Sequence, residues 1–134
     1  LATYGRTINF DLKRCEGYKA FCNKLWNGAR FVLMNVGESP FQGASPRLSP
    51  VEQWIYFELD ATTQRYHDAI AIYRFDLAAQ ALYDFTWNEY CDWFVELAKP
   101  ALSGDDLASQ TSVKHTLLLI CQCSVHMCTL SVLM

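Results

Sequence analysis

Seven residues near the start of the chain, Cys15, Tyr18, Cys22, Leu25, Ala29, Val32 and Val36, follow one another in alternating steps of three and four. That spacing gathers them along one side of an α-helix and conflicts with the two-residue alternation of a half-buried strand. It predicts a helix over about 11–36 with those seven residues turned to the core. No stretch of the chain sustains strand alternation, so the expected fold class is all-α.

The segment GESPFQGASPRLSP follows, and its three prolines and two glycines predict a loop. Its end is a helix start. Ser49 suits the N-cap, Pro50 the first helical position, and Glu52 completes a capping box. A second helix is expected over about 50–73, with Arg74 and Phe75 in a short turn. Asp76 would cap a third helix over about 76–99, stopped by Pro100. Ser103, Gly104, Asp105 and Asp106 mark the next break, and a fourth helix is expected over about 110–130. Long consecutive helices with short connections fold most simply as an antiparallel up-and-down bundle. The 134 residues suit a single domain spanning 1–134.

Net charge is −3, but it is unevenly spread. Residues 1–35 hold six basic residues against two acidic ones, a net of +4, while the rest hold five against twelve, a net of −7. Such asymmetry fits either a nucleic-acid face on an acidic body or a run of solvated cations. The six cysteines follow no signal peptide and read as reduced, intracellular thiols that pack as small core residues. Gln122, Ser124 and His126 interrupt the apolar C-terminal run, which argues against a membrane span. The chain does not open with Met, and both ends are abruptly apolar, which suggests a piece of a longer polypeptide.

One residue breaks the amphipathic pattern. With roughly 100° per residue and Lys13 at zero, the seven core positions lie between roughly 100° and 200°, whereas Phe31 lies near 0°. Lys13, Gly17, Ala20, Lys24, Asn27, Gly28 and Phe31 share that other side, flanked by Arg14 and Arg30. The composition suits single-stranded RNA. Cations attract phosphate, an aromatic ring stacks on a base, and Asn offers a donor and an acceptor to a base edge. The plainer reading is that Phe31 packs on another segment.

The run GRTINFDLKRCEGYKAFCNKLWNGARFVLMN resembles the segment that follows the catalytic domain in the valyl-tRNA synthetase family. YRFDLAAQALYDFTWNEYCDWFVELAKP, residues 73–100, is similar to the third-helix pattern of that family, with EYCDWFVELAKP its most discriminating part. The isoleucyl-type enzymes share the helical domain but not, as a rule, the Cys-Asp-Trp run. The resemblance implies a helical anticodon-binding domain of a class I synthetase, with tRNA as partner and neither membrane nor DNA. It places tRNA contacts at Lys13, Arg14, Lys24, Asn27, Arg30 and Phe31, with Phe31 stacked on an anticodon base. Lys13 stands where arginine is expected in some relatives; it keeps the charge but loses the bidentate fork. The His-Ile-Gly-His and Lys-Met-Ser-Lys-Ser signatures that bind ATP are absent from these residues. The chain is therefore expected to hold no catalytic residue and no cofactor of its own. ATP and Mg, and the catalytic domain as a neighbour, belong to the full-length cytoplasmic enzyme. A helical protein-interaction module is the alternative from another class, and an isoleucyl-type synthetase the alternative within it.

Other constellations carry less. Cys121, Cys123, His126 and Cys128 are soft ligands within eight residues, but their spacing scatters them around a helix, so no metal is expected. Tyr83, Phe85, Trp87, Tyr90, Trp93 and Phe94 read as core, and Trp26 as half-buried core. Glu89 and Asp92 read as solvated or paired with a cation. His67 and His115 support no triad. From about Ile120 the chain departs from the family pattern, as a shifted reading frame would produce, and the tail 120–134 is expected to pack atypically.

Overall fold

The computed structural model describes the backbone of residues 12–36 and 48–133 and the side chains of residues 16–36 and 48–129. Residues 37–47 of the predicted loop, and the side chains of Lys13, Arg14 and Cys15, lie outside the described residues. The elements are α1 (Leu12–Val36), α2 (Pro50–Ala71), α3 (Phe75–Asp84), a π-helical segment (Phe85–Phe94), α4 (Val95–Ser103) and α5 (Leu107–Leu133), with no strand among the described residues. The third, fourth and fifth run on without a break, so four rods make an all-α bundle. Phe21 meets Tyr83 and Gly28 meets Cys91, so α1 runs parallel to the third rod. The tight turn between α2 and α3, and the approach of Tyr90 to Leu117, give the up-down-up-down order.

The start of α2 follows the sequence signal. The Ser49 hydroxyl accepts from the Glu52 amide at 3.4 Å, and the Glu52 carboxylate accepts from the Ser49 amide at 2.8 Å. That box also reaches across the bundle. The other Glu52 oxygen accepts hydrogen bonds from Ser112 at 2.5 Å and Thr116 at 3.1 Å, both on α5. Glu52 is only 1% exposed. Burial alone would raise its pKa, but the bonds from Ser112, Ser49 and Thr116 outweigh burial and hold it below the ordinary value.

The turn after α2 falls earlier than the expected Arg74–Phe75. Tyr73 takes a left-handed φ of 58°. Its amide donates to the Ile70 carbonyl at 2.9 Å, and the Arg74 amide donates to Ala69 at 2.8 Å. This closes α2 with a left-handed residue where glycine is usual. Arg74 then occupies the N-cap place, and Asp76 becomes the acid of the first turn of α3. Asp76 grips Arg74 through two hydrogen bonds of 2.8 and 2.7 Å, which hold its carboxyl down at about 2.

Pro100 does not stop the third rod, which continues to Ser103. A proline one turn from a helix end removes one backbone bond, and the flanking Ala101 and Leu102 pack against the core and hold the last turn. Within the rod, the π segment gathers Phe85, Thr86, Tyr90 and Phe94 on its buried side. An i→i+5 turn holds more residues than an α turn, so side chains four and five apart come into line. Trp93 is the exception to the expected aromatic core and is 60% exposed. Helix α5 continues through the predicted tail, with Ile120, Cys121 and Ser124 buried.

Replacing Glu52 with Ala removes the cap and leaves two buried hydroxyls without an acceptor. Urea denaturation at neutral pH is expected to show a loss of roughly 2–4 kcal/mol. The pH dependence carries a sign. Because the folded-state pKa lies below the reference 4.5, the Glu52 contribution is present above pH 4.5 and fades as pH falls through the folded value. Glu52→Gln should therefore flatten the stability profile on the acid side.

Candidate nucleic-acid interface

Helix α1 is rolled relative to the sequence expectation. Val32 is buried and Leu25, Ala29 and Val36 are half-buried, but Tyr18 and Cys22 are exposed. Phe21, Lys24, Gly28 and Phe31 turn toward the body instead. The reason is area. Two phenylalanine rings flank Val32 on the helix wheel, and burying them removes more apolar surface from water than burying Cys22 and the ring of Tyr18.

The Phe21 ring stacks on Tyr83 with centroids 4.8 Å apart and lies 6.4 Å from Trp87; Tyr83 and Trp87 are 5.7 Å apart. Lys24 closes this column. Its ammonium sits 3.9 Å over the Trp87 ring and 2.5 Å from the Asp92 carboxylate. One turn further on, a Cβ on Gly28 would lie 3.3 Å from the Cys91 sulfur. Burial pushes the Cys91 thiol up to about 11, so it meets Gly28 as a neutral, space-filling group. Glycine at 28 therefore serves packing, whereas a Cβ on Gly17 would meet nothing within 4 Å.

Phe31 is partly buried and packs against the main core cluster around Val32, Ile55 and Phe94. The expectation of a ring standing clear of the core is thus corrected: the side of α1 assigned to solvent is in part a packing face. Asn27 and Arg30, next to Phe31 around the helix, are exposed. Trp26, expected as half-buried core, is 71% exposed. With Ala29, Arg30, Leu33 and Met34 it lines an open cleft of about 290 Å³. Its side-chain angle, beyond the far edge of the predicted seam, was the available signal. Lys13 and Arg14 lie on α1, with side chains outside the described residues.

The remaining constellations stay apart from this face. Glu89 is pushed up by burial and by its neighbour Glu58. Cys121 is buried, Cys123 and Cys128 are half-buried, and His126 is exposed. Among the described residues no group of three His, Cys, Asp or Glu side chains could hold a metal ion, and no helix is long and apolar enough to cross a membrane.

The bundle's sequence matches the family model of the anticodon-binding domain of tRNA ligase over residues 52–129. The chain belongs to that family. This anticodon-binding domain is 56% identical over 135 residues to a valine–tRNA ligase of Xylella fastidiosa strain M23, covering 90% of the chain and 14% of that protein. It is 56% identical over 120 residues to a valine–tRNA ligase of Xanthomonas oryzae pv. oryzae strain PXO99A, covering 90% of the chain and 12% of that protein. The chain thus spans about one-seventh of the length of the curated relatives it matches. The family model begins after α1, but an alignment over 90% of the domain takes in most of that helix.

The two helical glycines of α1 are expected to respond differently to alanine. Gly17→Ala should raise stability by about 0.5–1 kcal/mol, the helix-propensity difference at an open position. Gly28→Ala should gain less or lose, because the new methyl presses on Cys91. Paired thermal melts of the two variants check this.

Proposed function

We propose that this domain reads the anticodon loop of valine tRNA within a longer valine–tRNA ligase, which joins valine to tRNA at the expense of ATP. The observation that carries the reading is the anticodon-binding family match together with 56% identity to valine–tRNA ligases across 90% of the chain. Those relatives favour the valine over the isoleucyl type and leave the protein-interaction module without support.

On α1 the reading assigns RNA contacts to Lys13, Arg14, Lys24, Asn27, Arg30 and Phe31. Asn27 and Arg30 project into solvent, where an amide can pair with a base edge and a guanidinium with phosphate. Phe31 contributes through the part of its ring that packing leaves uncovered, with a base stacked on it. Lys24 reaches the same edge from the Trp87 column. ATP and Mg are handled by the catalytic part of the longer enzyme, which works in the cytoplasm. The exposed Trp26, Leu33 and Met34, on another side of α1, are the surface on which that catalytic part rests.

Binding of the chain to a valine-tRNA anticodon stem-loop tests the assignment. Arg30→Ala should weaken binding and flatten its salt dependence by about one phosphate contact. Phe31→Leu keeps most of the buried apolar volume but removes the ring, and should cost about 1–3 kcal/mol of stacking. If both variants bind as tightly as the parent while folding normally, this face of α1 is not the RNA-reading surface.

A further inference from the structure

The Lys24–Asp92 pair has features that a simple cross-link between helices does not require. Lys24 is the inner member, with a side chain 24% exposed, while Asp92 is 51% exposed. The ammonium is fixed from two sides, by the Trp87 ring at 3.9 Å and by the carboxylate at 2.5 Å. Trp87 is itself held by stacking on Tyr83 and Phe21. An anion approaching Lys24 from solvent therefore meets a carboxylate beside it, and a phosphate would have to displace that carboxylate or share its cation.

We infer that Asp92 is a specificity-determining positioning residue for RNA: it confines the Lys24 ammonium to the Trp87 column and denies it to phosphate. The inference rests on the RNA-reading assignment of α1 and adds a residue of the π segment to it. A lysine freed from Asp92 becomes a mobile cation on a flexible stem. Such a cation binds any phosphate backbone and contributes affinity without sequence information. A lysine pinned over an indole keeps its remaining donor capacity at one place, where only a neutral acceptor, such as a base carbonyl or ring nitrogen, approaches without opposing Asp92. Asp92 thus trades total affinity for discrimination, as a like charge set against the wrong partner does elsewhere.

The test compares the chain with Asp92→Asn and with the double variant Lys24→Gln/Asp92→Asn. Each is titrated with the valine anticodon stem-loop and with a stem-loop of scrambled loop sequence, across a series of salt concentrations. Asp92→Asn should bind the scrambled loop more tightly. Its plot of log K against log salt should steepen by about 0.7, the increment for one single-strand phosphate. The ratio of valine-loop to scrambled-loop affinity should fall. The double variant should lose the added slope, because the freed cation is Lys24 itself. Thermal melts run alongside register any structural cost. If Asp92→Asn lowers the melting temperature while both the salt slope and the affinity ratio stay at parent values, the pair is a structural cross-link and the inference is overturned. If the parent and both variants all fail to bind either loop, the RNA-reading assignment fails with it. Binding by the parent with an unchanged Asp92→Asn slope overturns only the role of Asp92.

Discussion

The outer surface of α1 is dictated by how that helix rests on the π segment, and the closest approach is at Gly28. With no side chain at 28, the α1 backbone comes near the Cys91 sulfur, and the rings of Phe21 and Phe31 fall on either side of that contact. Lys24 then has no route to open solvent that avoids Trp87 and Asp92. Asn27 and Arg30 are turned outward by the same rotation. A single packing choice between a glycine and a neutral thiol thereby decides which polar groups of the helix can meet another molecule.

A second contact fixes the bundle at its other end. Glu52 begins as a local device, the partner of Ser49 in a helix cap, and ends as a tertiary one through Ser112 and Thr116. Three side-chain or backbone donors from α5 and the cap satisfy a carboxylate that burial alone would neutralise. The start of α2 is consequently tied to α5. The two ends of the molecule are held by different chemistry: ring stacking and one ion pair at one, a hydrogen-bonded carboxylate at the other.

Sequence reasoning read best where the signal is local. Ser49, Pro50 and Glu52 specify a helix start through neighbours within one turn, and the structure repeats that geometry. The all-α class followed from spacing alone. Reasoning failed where the outcome depends on competition between faces. The steps of three and four through Cys15, Tyr18 and Cys22 describe a credible seam, yet nothing in that spacing weighs two cysteines and a tyrosine against Phe21 and Phe31. The partner decides it, and the aromatic column of Tyr83 and Trp87 lies some sixty residues away in the chain. The pairing of Lys24 with Asp92 was hidden for the same reason. Pro100 misled through over-reading: a proline near a helix end costs one bond, and packing of Ala101 and Leu102 outweighs it. Tyr73 could not be anticipated, because a left-handed tyrosine has no sequence signature when glycine is the usual occupant.

The π segment has a further implication for how the third rod tolerates change in length. A wide turn is equivalent to surplus residue stored inside an α-helix, so the spacing between the aromatic column before it and Val95 and Ala98 after it is kept by counting residues rather than by any one side chain. Shortening the chain within Phe85–Phe94 would let the backbone relax toward tighter winding without breaking the rod, yet α4 would be swivelled about its own axis and its apolar side carried away from α5. Substitutions there are matters of fit, whereas insertions and deletions would rewrite which half of the rod faces inward.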